Sequence, residues 1–513
     1  MTMLQLFKTI DSELDRITMY RVVLYYAALL IVVAFALSFF GLLAFSPLQL
    51  LFSTALILAV SALANWVFAW GFDAPANVES PYITALVIVL IMNPVSWTDA
   101  AGVAGLVFAS VWAMASKFIF AYRRKHIFNP AAFGVAISSF MIGQSATWWI
   151  GGSLWLLPFV TVGGLLVVRK IRRFDLMFGF FGALFAAIAL TSSDAVTTSV
   201  QALLYTPVLF FAFAMLSEPL TTPPTALRRV LYGGFVGVLL APAVNIFGFF
   251  FTPELALLAG NIFSFLMSPK ERFMLTLVER NKLGNGVYEF VFSSDRREAF
   301  AFTPGQYIEW TLGHSRPDSR GNRRYFTIAS SPEDEYIRIG VKVYDAPSSF
   351  KKAIFKLPIG GVISASHLSG DFVMPRDPKR KLAFIAGGIG VTPFASMTRH
   401  MIDSGESRDV VMLYSNKKAD EIAYRDVFDR AAELFGMKTT YVLSGEVASL
   451  STPGDTYMGT IDRNFIEKRI PDHAQRTFYL SGPHGMVSAM DATLRSMGVP
   501  RRRIKKDFFP GLA

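Results

Sequence analysis

Apolar side chains run almost unbroken through the first half of the chain and then give way to short alternations. Up to residue 268 the apolar stretches lie near 21–44, 48–71, 81–97, 102–121, 128–143, 148–168, 174–192, 202–217, 229–250 and 253–268. Most approach the ~20 residues a helix needs to cross a hydrocarbon core. The pattern therefore predicts an all-α polytopic membrane domain of about ten helices. Three stretches, 81–97, 128–143 and 202–217, are short for that and are expected to be broken or re-entrant. From about 270 the period drops to two: FMLTLVERN, GVYEFVFSS, QYIEWTLG, RRYFTIASS and YIRIGVKVY, separated by turn residues, predict a small antiparallel β-barrel. After Arg380 the rhythm becomes apolar strand, glycine-rich turn, helix. KLAFIAGG, DVVMLYSN, KTTYVLSG and RTFYLSG then predict a parallel α/β sheet whose ligand sits at the carboxyl ends of the strands. The expected domains are 1–268, 269–378 and 379–513.

Charge follows the same division. About 23 charged side chains fall in residues 1–268 and about 64 in 269–513, a step that hydrocarbon solvation of the first part explains. Arg123, Arg124 and Lys125, then Arg169, Lys170, Arg172 and Arg173, then Arg228 and Arg229, then Lys270 and Arg272 all fall on one side of the predicted spans. The opposite loops contain almost no Lys or Arg. That positive-inside asymmetry predicts a multi-pass cell-membrane protein with its N-terminus and polar half in the cytoplasm. The residues before Arg21 are polar and mixed in charge, unlike a cleaved signal peptide. The net charge of +11 is dispersed over loops and a soluble region rather than gathered on one face, which argues against nucleic acid as a partner.

With no cysteine there is no disulfide, no thiolate zinc site and no iron–sulfur cluster. Residues 1–268 hold one histidine, His126 in the basic loop RRKHIF, so paired axial ligands for haem are excluded by count. His126 itself reads as an ordinary loop residue.

The turn Gly387-Gly388-Ile389-Gly390-Val391-Thr392-Pro393 follows a strand and opens a helix, the arrangement that lets backbone approach a pyrophosphate. Taken with Phe302-Thr303-Pro304-Gly305-Gln306-Tyr307, Arg324-Tyr325-Phe326-Thr327-Ile328-Ala329-Ser330 and Tyr479-Leu480-Ser481-Gly482-Pro483, it resembles the ferredoxin–NADP reductase superfamily over about 270–513. The resemblance implies FAD in the barrel and NADH or NADPH on the α/β domain. It implies that Arg324 pairs with the FAD pyrophosphate, with Tyr307, Tyr325 and Ser330 in the same site. Phe326 would lie beside the isoalloxazine and Thr327 near its N5. Gly387, Gly388, Gly390, Thr392 and Pro393 would hold the nicotinamide nucleotide, Gly482 and Pro483 would line its pocket, and Phe509 or Phe508 would cover the flavin. Thr327, Thr392 and Ser481 are the candidate catalytic residues. Many relatives have Cys where Ser481 stands. After the second parallel strand, Ser415, Asn416, Lys417 and Lys418 include no acid to demand a free 2′-hydroxyl, and the choice between NADH and NADPH stays open.

HIFNPAAFG at 126–134 and MLSEPLTTPPT at 215–225, with about ten spans, resemble the integral-membrane flavin subunits of the sodium-pumping NADH:quinone reductase and of the Rnf complex. That resemblance implies flavin in the membrane domain, including FMN esterified to a threonine on the outer side. The corresponding loop here, 192–200, has Val200 at the usual acceptor position, so Thr197 or Thr198 takes over or the attachment is absent. A hydroxyl-rich helix cap is the alternative. Asn129 and Glu218, at two Pro-interrupted helix ends, are expected to contribute to a flavin pocket at membrane depth. The expected activity is NAD(P)H oxidation through FAD to a membrane flavin and on to a quinone or outer-face acceptor. A sodium or proton pump, a reductase merely anchored in the bilayer, and a transporter with a regulatory nucleotide domain are the rivals. Asp73, Glu79, Asp99 and Glu254 read as loop or helix-end residues, which weighs against the pump.

Overall fold

The computed structural model describes residues 10, 13–14, 17, 19–72, 79–122, 125–246, 248–268, 272–294, 300–314, 317–318, 322–344, 347–445 and 455–509. They form two compact units, Met1–Ser268 and Pro269–Ala513.

The first unit is helical. Its described elements are α1 (Met19–Phe39), α2 (Pro47–Gly71), α3 (Glu79–Ile91), α4 (Ala100–Ile119), α5 (Pro130–Ile142), α6 (Leu157–Ile171), α7 (Phe174–Thr191), α8 (Ala195–Tyr205), α9 (Val208–Leu216, ending as a π-helical turn), α10 (Ala226–Leu239) and α11 (Pro253–Met267). Among them α1, α2, α4 and α7 are long and apolar enough to cross a membrane, and α8 with α9, bent by 71°, counts as a fifth if the pair is one broken span. The ten apolar stretches of the sequence thus do not become ten full-length spans. Asp194 ends the predicted outer loop as the cap of α8, its carboxylate accepting from the Thr197 amide. Close helix contact relies on missing side chains: a Cβ on Gly233 of α10 would lie 2.5 Å from the Leu176 carbonyl oxygen in α7, and one on Gly237 would lie closer still to that of Phe180. Glycine at such positions lets the two helix backbones approach closely.

The second unit holds two sheets. Strands β1 (Arg272–Gly284), β2 (Val287–Ser294), β3 (Tyr307–Thr311), β4 (Arg323–Thr327), β5 (Ile337–Lys342) and β6 (Val362–Ser369) are all antiparallel, in the order β4-β3-β6-β1-β2-β5. A bridge between Ile328 and Ile339 joins the two ends of that order and closes a barrel. Its interior is filled by Leu275, Phe290, Phe292, Ile308, Trp310 and Ile339, with Phe350 and Ile354 of α12 (Ser349–Lys356) completing the core. The strand β6 and the helix α12 are not predicted by the sequence pattern.

The other sheet is parallel: β7 (Leu382–Gly387), β8 (Val410–Asn416), β9 (Lys438–Leu443), β10 (Thr456–Met458), β11 (Thr477–Pro483) and β12 (Ile504–Phe509), in the order β10-β9-β8-β7-β11-β12. Every residue of β7 is buried. Leu382, Phe384 and Ala386 pack on one face and Ala383 and Ile385 on the other, as a central strand covered by helices on both sides requires. The covering helices include α13 (Thr392–Ser404), α14 (Arg425–Phe435), α15 (Arg463–Arg469) and α16 (His484–Ser496). Strand order reverses between β7 and β11. That switch point is where ligands enter sheets of this kind.

Candidate functional site

At the switch point, β7 and β11 deliver their carboxyl-terminal turns against each other. After β7 the chain reverses through Gly388, whose φ of +54° is left-handed and whose missing Cβ would meet only open space. Gly390 then packs on the other turn: a Cβ there would stand 2.5 Å from Gly482 Cα and 2.6 Å from the Ser481 carbonyl oxygen. Only glycine permits that approach of two backbones. Thr392 and Pro393 begin α13, with Pro in the first turn where a missing N–H costs nothing. The free amides of this turn make a ready anion site.

The barrel contributes the strand pair β3 and β4. Tyr307 and Thr327 are direct cross-strand partners, and the Tyr307 ring meets Tyr325 edge-on at 5.6 Å. Tyr325 is half exposed and its hydroxyl donates to Glu309 at 2.8 Å. Phe326 points the other way, half-buried against Phe350. Arg324 spans both Asp318 oxygens at 2.7 and 2.9 Å, and its guanidinium lies over Phe350. A phosphate taking Arg324 must compete with that carboxylate. Ser330 is fully buried: its hydroxyl accepts the Arg338 amide and its carbonyl accepts the Ser396 hydroxyl.

Two polar atoms of the expected site lack a partner within the described protein. The hydroxyls of Thr327 and Ser481 are buried with no hydrogen-bond partner among the described residues. Six other buried hydroxyls among the described residues share that state; at Thr327 and Ser481 it leaves each able to take a partner from a ligand. Phe508 and Phe509 pair through their backbones with Gly482 and Pro483, which brings the last strand to the same turn; their side chains lie outside the described set. Asn416 closes β8 as a buried residue, with Lys417 and Lys418 exposed beyond it.

In the helical unit the structure joins Asn129 and Glu218, as the two matched strings suggested. Asn129 donates its amide to Glu218 at 2.9 Å, His126 Nε2 lies 3.2 Å from the other carboxylate oxygen, and Thr221 adds a contact at 3.3 Å. The Asn129 backbone amide in turn donates to Asn261, which reaches Tyr232. His126 reads from the sequence as a loop residue, and the sequence does not single out Asn261 or Lys117, whose ammonium donates to Ser80. Only His126 had a signal, its place three residues before Asn129. The pair borders a cavity of about 70 Å³, otherwise walled mainly by apolar side chains such as Val23, Val87 and Met215. That is under half the ~150 Å³ that admits benzene, and the Glu218 carboxylate is already met by three donors. Asn129 and Glu218 thus meet at one polar corner of this cavity, where the two matched strings come together.

Thr197 and Thr198 occupy the first turn of α8. Thr198 donates to the Asp194 carbonyl at 2.8 Å and meets Ser192, while Thr197 is exposed. Its hydroxyl and amide, hydrogen-bonded to Asp194, hold that carboxyl below its usual range. Arg124 of the basic loop lies outside the described residues.

Residues 384–492 match the family model described as an oxidoreductase NAD-binding domain. The second unit therefore contains a nicotinamide-nucleotide-binding oxidoreductase domain. A flavohemoprotein of Oceanobacillus iheyensis is 28% identical over 212 residues, 40% of this chain and 51% of its own length. The stachydrine N-demethylase reductase subunit Stc4 of Rhizobium meliloti is 28% identical over 237 residues, 46% of this chain and 66% of its own. The chain thus spans between half and two thirds of these curated relatives. The solved flavohem-like FAD/NAD-binding domain of a nitric oxide dioxygenase from Vibrio cholerae aligns with a TM-score of 0.40 at 20% identity, covering 46% of this chain and 98% of that one.

Proposed function

We propose that the chain is a membrane flavoprotein that oxidises NADH or NADPH in its second unit and passes the electrons into its helical unit. The observation that carries this reading is the seating of the Gly387–Gly390 turn on Ser481–Pro483 at the sheet's switch point, beside a helix N-terminus, within a matched NAD-binding domain. In this reading the α13 amides and the glycine turn bind the nucleotide phosphates, and Thr392 and Pro393 set the nicotinamide against the barrel. Thr327 and Ser481 offer their unpartnered hydroxyls to the reacting ring edges. Arg324 exchanges Asp318 for the cofactor's pyrophosphate, a match its planar donors suit. Bound FAD supplies the ability to take two electrons as hydride and release them singly.

The apolar lengths of α1, α2, α4 and α7 support a membrane location, and the basic-loop asymmetry supports a cytoplasmic second unit. Hydrocarbon ~30 Å thick is too far for one useful electron transfer, so the reading includes a second redox group. The resemblance to the flavin-bearing membrane subunits names it as FMN, with the exposed Thr197 the better acceptor of the two threonines. The acceptor is a quinone or an outer-face substrate. A sodium or proton pump is the second reading. It draws on Glu254, which is buried at the start of α11 with the Trp148 indole donating at 2.9 Å. Absorbance of the purified protein tests the main reading: flavin bands that bleach on adding NAD(P)H are expected, and their absence refutes it. Intact-chain mass spectrometry reports whether FMN is attached, and Thr197→Val should abolish the mass increment.

A further inference from the structure

One face of α13 is fastened to the barrel strand that carries Thr327. At its first turn Thr392 abuts Gly340 of β5, where a Cβ would meet Thr392 Cγ2 at 2.7 Å and the Tyr424 hydroxyl at 2.6 Å. One turn on, Ser396 donates to the Ser330 carbonyl at 2.7 Å. A turn further, Arg399 donates to the Ala329 carbonyl at 2.9 Å and to Glu289 of β2 at 3.0 Å. Positions 392, 396 and 399 share one helical face, and residues 329 and 330 follow Thr327 by two and three positions.

Glu289 is 3% exposed and takes its second partner from the barrel itself, Arg338 at 3.2 Å, which is held in turn by Asp334 at 2.7 Å. The Arg399 guanidinium also lies 5.2 Å over the Tyr424 ring, and Tyr424 adopts a φ of +59° that few bulky residues tolerate. A buried carboxylate shared between two arginines is expensive to desolvate, and apolar residues of equal volume often stabilise as well. Its placement here bridges the two sheets at the level of the reacting residues.

We propose that Arg399, with Glu289 and Ser396, is a positioning device that fixes the nicotinamide turn at one distance from the Thr327 strand. This rests on the hydride-transfer reading above. None of the three belongs to the glycine turn or to the Arg324–Thr327 segment; they act through α13, whose first residue is Thr392. Hydride transfer is steeply sensitive to such spacing, and a displacement of about 1 Å costs on the order of 100-fold.

The test uses full-length protein with Arg399→Met, Arg399→Lys and Ser396→Ala, the last removing a single hydrogen bond from a site that still folds. Anaerobic mixing with NADH and with 4-deuterated NADH gives the hydride-transfer rate and its isotope effect. Flavin content, nucleotide Kd and the nicotinamide–flavin charge-transfer absorption are read alongside. Arg399→Met is expected to slow flavin reduction by about 10- to 100-fold, with a weaker charge-transfer band and unchanged Kd and flavin content. Arg399→Lys should restore much of the rate, and Ser396→Ala should fall between. Amide exchange across 392–404 in flavin-free protein should quicken in the same order. Unchanged rates, or losses that merely follow lost flavin or nucleotide affinity, overturn the proposal. If wild-type flavin is not bleached by either nucleotide, the proposed function fails. The exchange measurement then still decides the fastening, because unaltered protection of α13 refutes it.

Discussion

Gly390→Ala is the sharpest perturbation of the nucleotide turn. The added methyl would sit 2.5 Å from Gly482 Cα, 2.6 Å from Gly482 N and 2.6 Å from the Ser481 carbonyl oxygen. All three are backbone atoms at the end of a buried parallel strand, so no flexible side chain can swing aside. Ordinary contact distances are near ~3.5 Å or more, and relief demands that the two turns separate by roughly 1 Å. Overpacking of this kind costs about 1–3 kcal/mol of stability. The same separation shifts Thr392 relative to Gly340 of the barrel, and transfer geometry is lost at on the order of 100-fold per ångström. Flavin content should hold, because Arg324, Tyr325 and Thr327 lie on the other sheet.

The assay is a matched pair. Gly485 lies in the first turn of α16, exposed, with nothing within 4 Å of the place a methyl would take, so Gly485→Ala should be neutral or stabilise by up to about 1 kcal/mol. Thermal unfolding, nucleotide titration and single-turnover flavin reduction are compared for the two variants. If Gly390→Ala binds nucleotide and reduces flavin like Gly485→Ala, the backbone-contact account of this site is wrong.

Other expectations follow from single contacts. Thr327→Val should leave flavin-free stability within about 1 kcal/mol, since the hydroxyl it removes has no partner, yet slow flavin reduction by an order of magnitude or so; equal losses of both would point to a packing role. Asp318→Asn should tighten FAD binding and Arg324→Ala should weaken it, measured by flavin retention on dilution, because the carboxylate now occupies the guanidinium. Asp472 is held down to about 2 by the Arg476 hydrogen bond, aided by Lys381. A lowered carboxyl stabilises the fold above its unfolded value and loses that effect as pH falls through the folded one. Asp472→Asn should therefore cost about 1–2 kcal/mol at pH 7 after discounting for partial exposure, and the deficit should vanish between about pH 4 and 2 in denaturant titrations. Glu218→Gln should destabilise the helical unit in detergent by about 1–3 kcal/mol, since it replaces an acceptor of three hydrogen bonds.

How much could be read beforehand depended on whether a residue's partner was local. The turn at 387–393 and the strands around it are local patterns, and β7 to β9 and β11 fall where the apolar runs place them. Strand β12 escaped because IKKDFF alternates weakly, although its partner β11 is the strand just before it across helix α16. Strand β6 reads VISASHLS, with serine at three of its eight positions and histidine at a fourth, so little hydrophobic signal marks it. The hydroxyl and carbonyl of Ser330 meet Arg338 and Ser396, partners that no spacing reveals. The fastening of α13 to the barrel was likewise invisible, since Glu289 and Arg399 stand 110 positions apart.

The helical unit shows why an apolar run is an ambiguous message. The stretch 81–97 is apolar enough to suggest a span, yet helix α3 stops at Ile91. Residues 84–92 are buried without a break, so from Thr84 on the helix is enclosed by protein on every side and shows no exposed stripe with a 3.6-residue period. A helix that ends inside such a body leaves carbonyls that must find donors. Here the amides of Thr147 and Trp148 reach the Ile91 carbonyl at 3.0 and 2.8 Å, Ile150 reaches Leu90, and the Trp149 indole reaches Val89 and Met92. The same segment starts the run 148–168, which is why that run also falls short of a full helix and α6 begins only at Leu157. One irregular segment thus shortens two apparent spans at once. It also puts Trp148 at a φ of +51° and its indole on Glu254. Replacing Trp148 by Phe should therefore do more than remove one hydrogen bond. It leaves a buried carboxylate short of a donor, a loss of about 1–3 kcal/mol, whereas Trp148→Phe with Glu254→Leu should recover much of it. A double mutant no better than Trp148→Phe alone would show that this segment is held by its backbone contacts to α3 and not by the indole–carboxylate pair.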